Sequence, residues 1–301
     1  MIWGAERVLV TGGAGMLGSQ VLLSAPDGTT VIGTDLVEAG GVTAVGVDLA
    51  EAEQVAALFA EHGPFTGVIH TAAYTAVDAA EEEEELALRI NGQACGCVAA
   101  ACAEADVPLV AVGTDFVFDG TSRRPYRIED VPNPLSAYGR TKLAGERAAM
   151  EAHPRGTRIV RTQWLYGPRG RHFPGTMRAL AAEREELKVV DDQVGSPTST
   201  LELAPALWDV LAAGSAGVYH AACEGSCTWY DLAVAAVEAG LPDGTERARI
   251  VPCMSAEFPR PAHRPTYSVL DCSRLTRLRG RSLAPWREAL MTFLGDSGEE
   301  P

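Results

Sequence analysis

The sequence predicts an α/β fold, a doubly wound parallel sheet with helices on both faces, joined to a smaller C-terminal α/β lobe. Three observations carry this expectation. Short apolar runs alternate with helical segments through the first half of the chain. Glycines at positions 12, 15 and 18 form a turn between the first run and the first helix. After Trp164 the regularity loosens and Pro and Gly become more frequent. The chain of 301 residues is long enough for two such parts. The boundary falls near residue 165, with chain crossings between the parts left open.

In order, strands are expected at Arg7–Thr11, Thr30–Asp35, Val42–Val47, Gly67–Thr71, Leu109–Gly113 and Thr157–Arg161. Each is short, rich in β-branched or aliphatic residues, and bounded by turn formers or helical segments. Helices are expected between them near Gly15–Ser24, Glu51–Glu61, Glu84–Ala105 and Ala137–Glu151. Further on, Thr228 with Asp231 forms a capping-box start for a helix. Pro285 suits the first turn of a last helix carrying Trp286 and Leu290. The tail from Gly295 reads as frayed.

Composition narrows the classes. Hydrophobic residues make up 47% of the chain, which supports a substantial core. The net charge of -15 argues against nucleic acid and anionic membranes as partners, since no Lys/Arg cluster offsets it. The acidic run Glu81 to Glu85 reads as a solvated segment at a helix start. Seven cysteines include no CxxC pair and six histidines are scattered, so neither a disulfide framework nor a metal site is expected. No leader is recognisable in the first residues, and no apolar stretch is long and uninterrupted enough to span a bilayer. A cytoplasmic setting is expected.

The turn Gly12-x-x-Gly15-x-x-Gly18, after a strand and before a helix, is the fingerprint of a Rossmann-type dinucleotide site. Glycine lets the backbone approach a pyrophosphate at the helix N-terminus. Asp35 ends the second strand, 23 positions after Gly12, where a carboxylate accepts ribose hydroxyls and repels a 2'-phosphate. With no Arg or Lys between Gly12 and Glu61, NADH is expected over NADPH. Residues 1–165 are thus read as the dinucleotide-binding domain and 166–301 mainly as a substrate lobe. Asp48-Leu49 and Ala72-Ala73-Tyr74 follow the third and fourth strands, where they can line the cofactor. Tyr138 and Lys142 lie four apart, on one face of a helix. A tyrosine beside a fixed ammonium can lend its proton near neutral pH, which beside a nicotinamide makes a carbonyl reductase.

The glycine turn, Thr114 after the fifth strand and Tyr138-x-x-x-Lys142 together resemble an extended short-chain dehydrogenase/reductase. The segments "TAAYTAVDAAE", "GTDFVFDG", "PLSAYGRTKLAGE", "RTQWLYG" and "VVDDQVGSPTS" resemble those of dTDP-4-dehydrorhamnose reductases, in order and over nearly the full chain. That resemblance implies reduction of the 4-keto group of a dTDP-linked 6-deoxyhexulose to dTDP-L-rhamnose. It implies Tyr138 as proton donor, Lys142 as holder of the nicotinamide ribose and acidifier of the tyrosine, and Thr114 as hydrogen-bond donor to the ketone. Asp115, Trp164, His172, Gln193, Pro197 and Thr198 are implied substrate contacts, and Gly15, Met16, Leu17, Gly18, Asp35, Asp48, Leu49, Ala72, Ala73 and Tyr74 a cofactor lining. A monomer or homodimer is implied.

Three positions depart from the family pattern. His172 stands where Asn is usual, Gln163 where a small residue is usual, and Leu17 where some members carry a glutamate for a magnesium-linked dimer. A sugar-nucleotide dehydratase would need a second acid after Thr114-Asp115, and Phe116 stands there. A 4-ketoreductase for another dTDP-deoxysugar, and a nucleotide-binding subunit without catalysis, stay open.

Overall fold

The computed structural model describes residues 6–239 and 248–296. The end of the expected frayed tail, residues 297–301, lies outside the described residues. Six strands stand at or close to the predicted places: β1 Arg7–Thr11, β2 Thr30–Asp35, β3 Val42–Val45, β4 Gly67–His70, β5 Leu109–Thr114 and β6 Thr157–Thr162. β3 ends earlier than expected because Gly46 turns the chain with φ +79°. With the strand Gly217–His220 they form one seven-stranded parallel sheet. From one edge the order is 217–220, β6, β5, β4, β1, β2, β3. The order reverses between β1 and β4, the switch point beside which doubly wound sheets bind ligands.

Both faces of the sheet are covered, as continuous apolar strands require. On one face Val8, Val10, Ile69, Val110 and Val160 pack with α1 (Met16–Leu23) and the later helix Thr200–Ala213. On the other, Leu9, Val68, Leu109, Ala111 and Ile159 pack with α2 (Ala52–His62) and the helix Ala94–Glu104. The alternation of Val8, Leu9 and Val10 between the two cores is the two-residue period of a strand.

The expected single helix Glu84–Ala105 is three pieces: α3 (Glu84–Leu88), one π-helical turn (Arg89–Gln93) and α4 (Ala94–Glu104). Taken together, Glu84–Glu104 has the length and average apolarity of a membrane span, but the π turn interrupts it. Its Ala and Cys content raises that average, and the segment packs against α2 and α5 (Ala137–Ala152). The acidic run serves α5 as well as its own segment. Glu81 Oε1 accepts from the Ala137 N–H (2.8 Å), and Glu84 takes both ends of the Arg140 guanidinium (2.7 and 2.8 Å). All seven thiols are unpaired.

Beyond residue 165 the chain builds α6 (Phe173–Glu183), then α7 (Thr200–Ala213), which returns to the sheet with the strand Gly217–His220. Trp208 on α7 donates to the Val21 carbonyl of α1 (3.0 Å). The chain then crosses back to α8 (Trp229–Glu238), whose capping box of Thr228 and Asp231 forms as read. α9 (Ser273–Arg279) and α10 (Trp286–Asp296) follow. Pro285 stands one residue before α10, and its carbonyl accepts from the Ala289 N–H.

Candidate active site

A cavity of about 810 Å³ opens along the C-terminal ends of β1, β2, β4, β5 and β6. Its floor is the glycine turn. Gly12 has φ +71°, and a Cβ there would stand 2.6 Å from the Ala72 nitrogen. A Cβ on Gly18 would stand 1.9 Å from the Gly12 carbonyl oxygen. Both positions are therefore closed to any side chain. α1 begins at Gly15 without a side-chain cap, so its first N–H groups face the turn. Asp35 accepts from the Ala14 N–H (3.0 Å) and from the Val37 N–H (3.3 Å), which ties the end of β2 to the turn.

Every residue assigned to the dinucleotide lines this cavity: Gly12, Gly15, Met16, Leu17, Gly18, Asp35, Asp48, Leu49, Ala72, Ala73, Tyr74, Tyr138 and Lys142. Two of them are also engaged structurally. The Asp48 carboxylate pairs with Arg89 (2.8 Å) and accepts from the Ala50 N–H (3.0 Å). Tyr74 donates from its hydroxyl to Glu83 (2.5 Å).

At the opposite end stand Thr114, Asp115, Tyr138 and Trp164. Ser136 caps α5 through the Gly139 N–H (3.2 Å), which starts the helix so that Tyr138 lies in its first turn. The Tyr138 ring meets Phe116 edge-on at 5.5 Å. Burial pushes its phenol up to about 12, opposed by the neighbouring Thr114 hydroxyl and reinforced by the Asp115 carboxylate. Lys142 stands one helical turn after Tyr138 on α5. The ammonium is turned to the Val112 carbonyl of β5 (2.8 Å), and its own pKa is lowered by burial.

Thr114 donates to Asp115 Oδ1 (3.2 Å) and accepts from the Phe116 N–H (3.3 Å). The second oxygen of Asp115 is buried without a partner, and burial raises this carboxyl to about 6. Trp164 holds a left-handed backbone, φ +49°, unusual for a bulky side chain. Its indole stacks on Trp229 at 3.6 Å, and a Cβ on Gly195 would strike the ring at 2.5 Å. Packing therefore holds the strain in place.

Four implied substrate contacts do not line the cavity. His172 caps α6, accepting from the Gly175 N–H through Nδ1 (3.1 Å). Gln193 accepts from Trp229 Nε1 (3.2 Å) and donates to Ser255 (2.8 Å). Pro197 is buried, and Thr198 is buried with its hydroxyl on the Ser196 carbonyl (3.0 Å). Gln163 does line the cavity, and its Oε1 joins the Ser196 N–H (3.0 Å) to the Ser268 hydroxyl (3.1 Å).

Two contributors were missed in the sequence. Asn91, in the π turn, accepts from the Tyr74 N–H (2.8 Å) and donates to the Tyr74 carbonyl (3.2 Å) and to Thr141 (3.1 Å). It pins the loop that carries Tyr74 to α5. The pair Asn91-Gly92 inside a helical pattern was the available signal. Arg171 lines the cavity from the loop before α6.

A glycine-turn dinucleotide site facing a Thr–Tyr–Lys set at the ends of a parallel sheet defines a short-chain dehydrogenase/reductase. Residues 6–298 match the model of the RmlD substrate binding domain, and the chain belongs to that family, the dTDP-4-dehydrorhamnose reductases. A dTDP-4-dehydrorhamnose reductase of Mycolicibacterium smegmatis is 41% identical over 95% of this chain and 84% of its own length. A probable dTDP-4,6-dihydroxy-2-methyloxan-3-one 4-ketoreductase of Streptomyces antibioticus is 40% identical over 96% and 95%. The crystal structure of a dTDP-4-dehydrorhamnose reductase from Bacillus anthracis, in complex with NADP, superposes with a TM-score of 0.88 at 34% identity, covering 97% of this chain and 99% of that one.

Proposed function

We propose that this chain reduces the 4-keto group of dTDP-4-dehydro-6-deoxy-L-mannose to give dTDP-L-rhamnose, using a nicotinamide dinucleotide. The observation that carries this reading is that Thr114, Tyr138 and Lys142 share one cavity with the glycine turn. The site fits a dinucleotide, because the space a Cβ would take at Gly12 and Gly18 is filled by backbone and the start of α1 is uncapped.

When bound, the cofactor supplies the hydride for the ketone carbon. Tyr138 keeps its proton at neutral pH, since its phenol stands near 12, and gives it from Oη to the ketone oxygen. The Thr114 hydroxyl turns from Asp115 to that oxygen and orients it. Lys142 holds the ribose from its seat on the Val112 carbonyl, and stabilises the phenolate that forms. Trp164 walls the sugar and keeps water out. Tyr138→Phe tests the assignment: turnover falls by roughly 10²–10⁴-fold while cofactor affinity stays. Near-normal turnover removes Tyr138 from the role.

Asp35 favours NADH, and a lower KM for NADPH would overturn that preference. A second reading rests on Arg169 and Arg171. The Arg169 guanidinium comes 3.9 Å from a Cβ built on Gly40, in the turn after β2, where a positive charge suits a 2'-phosphate. For the substrate, the Streptomyces antibioticus relative and Gln163 support a different dTDP-deoxysugar as the alternative. The catalytic set in a single cavity weighs against a subunit that only binds nucleotide, and turnover decides between them. The reading places the chain in the cytoplasm as a monomer or homodimer, with neither nucleic acid nor membrane as partner.

A further inference from the structure

We propose that Glu146, locked by Arg161, is a positioning residue for the reduction: it is the buried counter-charge that keeps Lys142 charged and seated. The inference rests on the reductase reading above.

The geometry comes from two neighbouring residues of β5. Lys142 and Glu146 lie four apart on α5, hence on one face of the helix. Lys142 Nζ donates to the Val112 carbonyl (2.8 Å). The Glu146 carboxylate passes over the next residue, Gly113, where a Cβ would stand 2.5 Å from Oε1 and 2.9 Å from the Arg161 stem. Arg161 is the partner of Gly113 across β6. Its Nε donates to both Glu146 oxygens (3.0 and 3.1 Å) and its Nη2 to Oε2 (2.7 Å). Gly113 is the space in which Glu146 and Arg161 meet, one residue along β5 from the carbonyl that holds Lys142.

All three are nearly sealed from water, with Lys142 8%, Glu146 5% and Arg161 4% exposed. An ammonium so enclosed tends to lose its proton unless a negative charge stays close. Against that burial, Cys95 and then Glu146 are the groups whose negative charge would favour the protonated amine. Cys95 on α4 is pushed up to about 11 by burial, so at neutral pH it is an uncharged thiol. His70 on β4 and His220 beside Arg161 are both held neutral, near 3, chiefly by burial. Tyr138 is protonated. Glu146 is therefore the anion that answers Lys142. The Arg161 fork fixes where that anion stands, and a fixed carboxylate costs no rearrangement when the ribose and phenolate come to share the ammonium.

The chain makes the test clean, because Lys142 and Lys188 are its two lysines. Lysine labelled with ¹³C at Cε gives one signal from each, and Lys188, half exposed in its pair with Glu257, is the internal reference. In Glu146→Gln the Lys142 titration midpoint falls by about one pH unit or more, Lys188 stays put, and kcat/KM on the keto sugar falls with its alkaline limb moved to lower pH. Since Glu146→Gln strands Arg161, the variant Glu146→Gln/Arg161→Met removes both charges together. It is expected to melt cooperatively with a Lys142 midpoint between those of Glu146→Gln and the parent, because loss of the Arg161 charge offsets part of the loss of Glu146. A folded variant whose Lys142 midpoint and pH–rate profile match the parent overturns the proposal. The NMR midpoint needs no turnover, so a shifted midpoint in a chain that reduces no keto sugar would sink the reductase reading and leave the Glu146–Lys142 link standing.

Discussion

Replacing Gly12 by alanine tests the geometry of the cofactor floor. Two costs follow from the structure. At φ +71° an L side chain is strained by about 1–2 kcal/mol. The new Cβ would stand 2.6 Å from the Ala72 nitrogen, so reaching an ordinary 3.4 Å contact shifts that backbone by about 0.8 Å. Overpacking of this kind costs roughly 1–3 kcal/mol, giving about 2–5 kcal/mol together. For a chain of this size that lowers Tm by roughly 4–10 °C. The shifted segment, Thr71 to Ala73, lines the cavity, so kcat/KM should fall by roughly 100-fold and NADH affinity with it. Gly28→Ala is the control: it has φ +83° but nothing within 4 Å of its Cβ, so only the same backbone cost of about 1–2 kcal/mol applies. Thermal unfolding, calorimetric titration with NADH and initial rates measure these effects. If Gly12→Ala melts within about 1 °C of Gly28→Ala and binds NADH as the parent does, the argument from close approach is wrong.

Two further outcomes follow. Asp115 is raised to about 6 in the fold, so its charged form disfavours folding by about 3 kcal/mol above pH 6, a cost that disappears as pH falls towards 4. Asp115→Asn should therefore melt higher than the parent at pH 7–8 and converge with it near pH 4, as paired melts across pH will show. Asn91→Ala removes three hydrogen bonds from a buried side chain and should cost roughly 2–4 kcal/mol, with a Tm loss of roughly 4–8 °C and weaker NADH binding. An unchanged melt would show that the π turn is not pinned through Asn91.

The cofactor half of the site was legible because it is local. A strand, a glycine turn and a helix follow one another from Arg7 to Leu23, and Asp35 lies one strand further on. Tyr138 and Lys142 were legible for the same reason, being one helical turn apart. What was not legible depends on residues brought from far along the chain. The Asn91 bonds to Tyr74 and Thr141 span 17 and 50 positions, and periodicity cannot report them. The π turn that carries Asn91 was hidden because its Ala-rich surroundings read as one continuous helix. Arg171 was not legible as a cavity residue because it reaches the cavity from more than 130 positions beyond Asp35. His172 has a structural part that its place in a family motif did not report: its ring caps α6 and meets Phe293 at 5.1 Å. The acidic run was legible as a solvated helix start, while its grip on α5 through Ala137 and Arg140 needed the tertiary fold.

The central claim is tested most directly by mixing the protein with NADH and enzymatically generated dTDP-4-keto-6-deoxy-L-lyxo-hexulose, following the loss of NADH absorbance and identifying the product by NMR. The account predicts oxidation of NADH with one dTDP-L-rhamnose formed per cofactor consumed. Bound NADH with no oxidation, or a product other than dTDP-L-rhamnose, would contradict it.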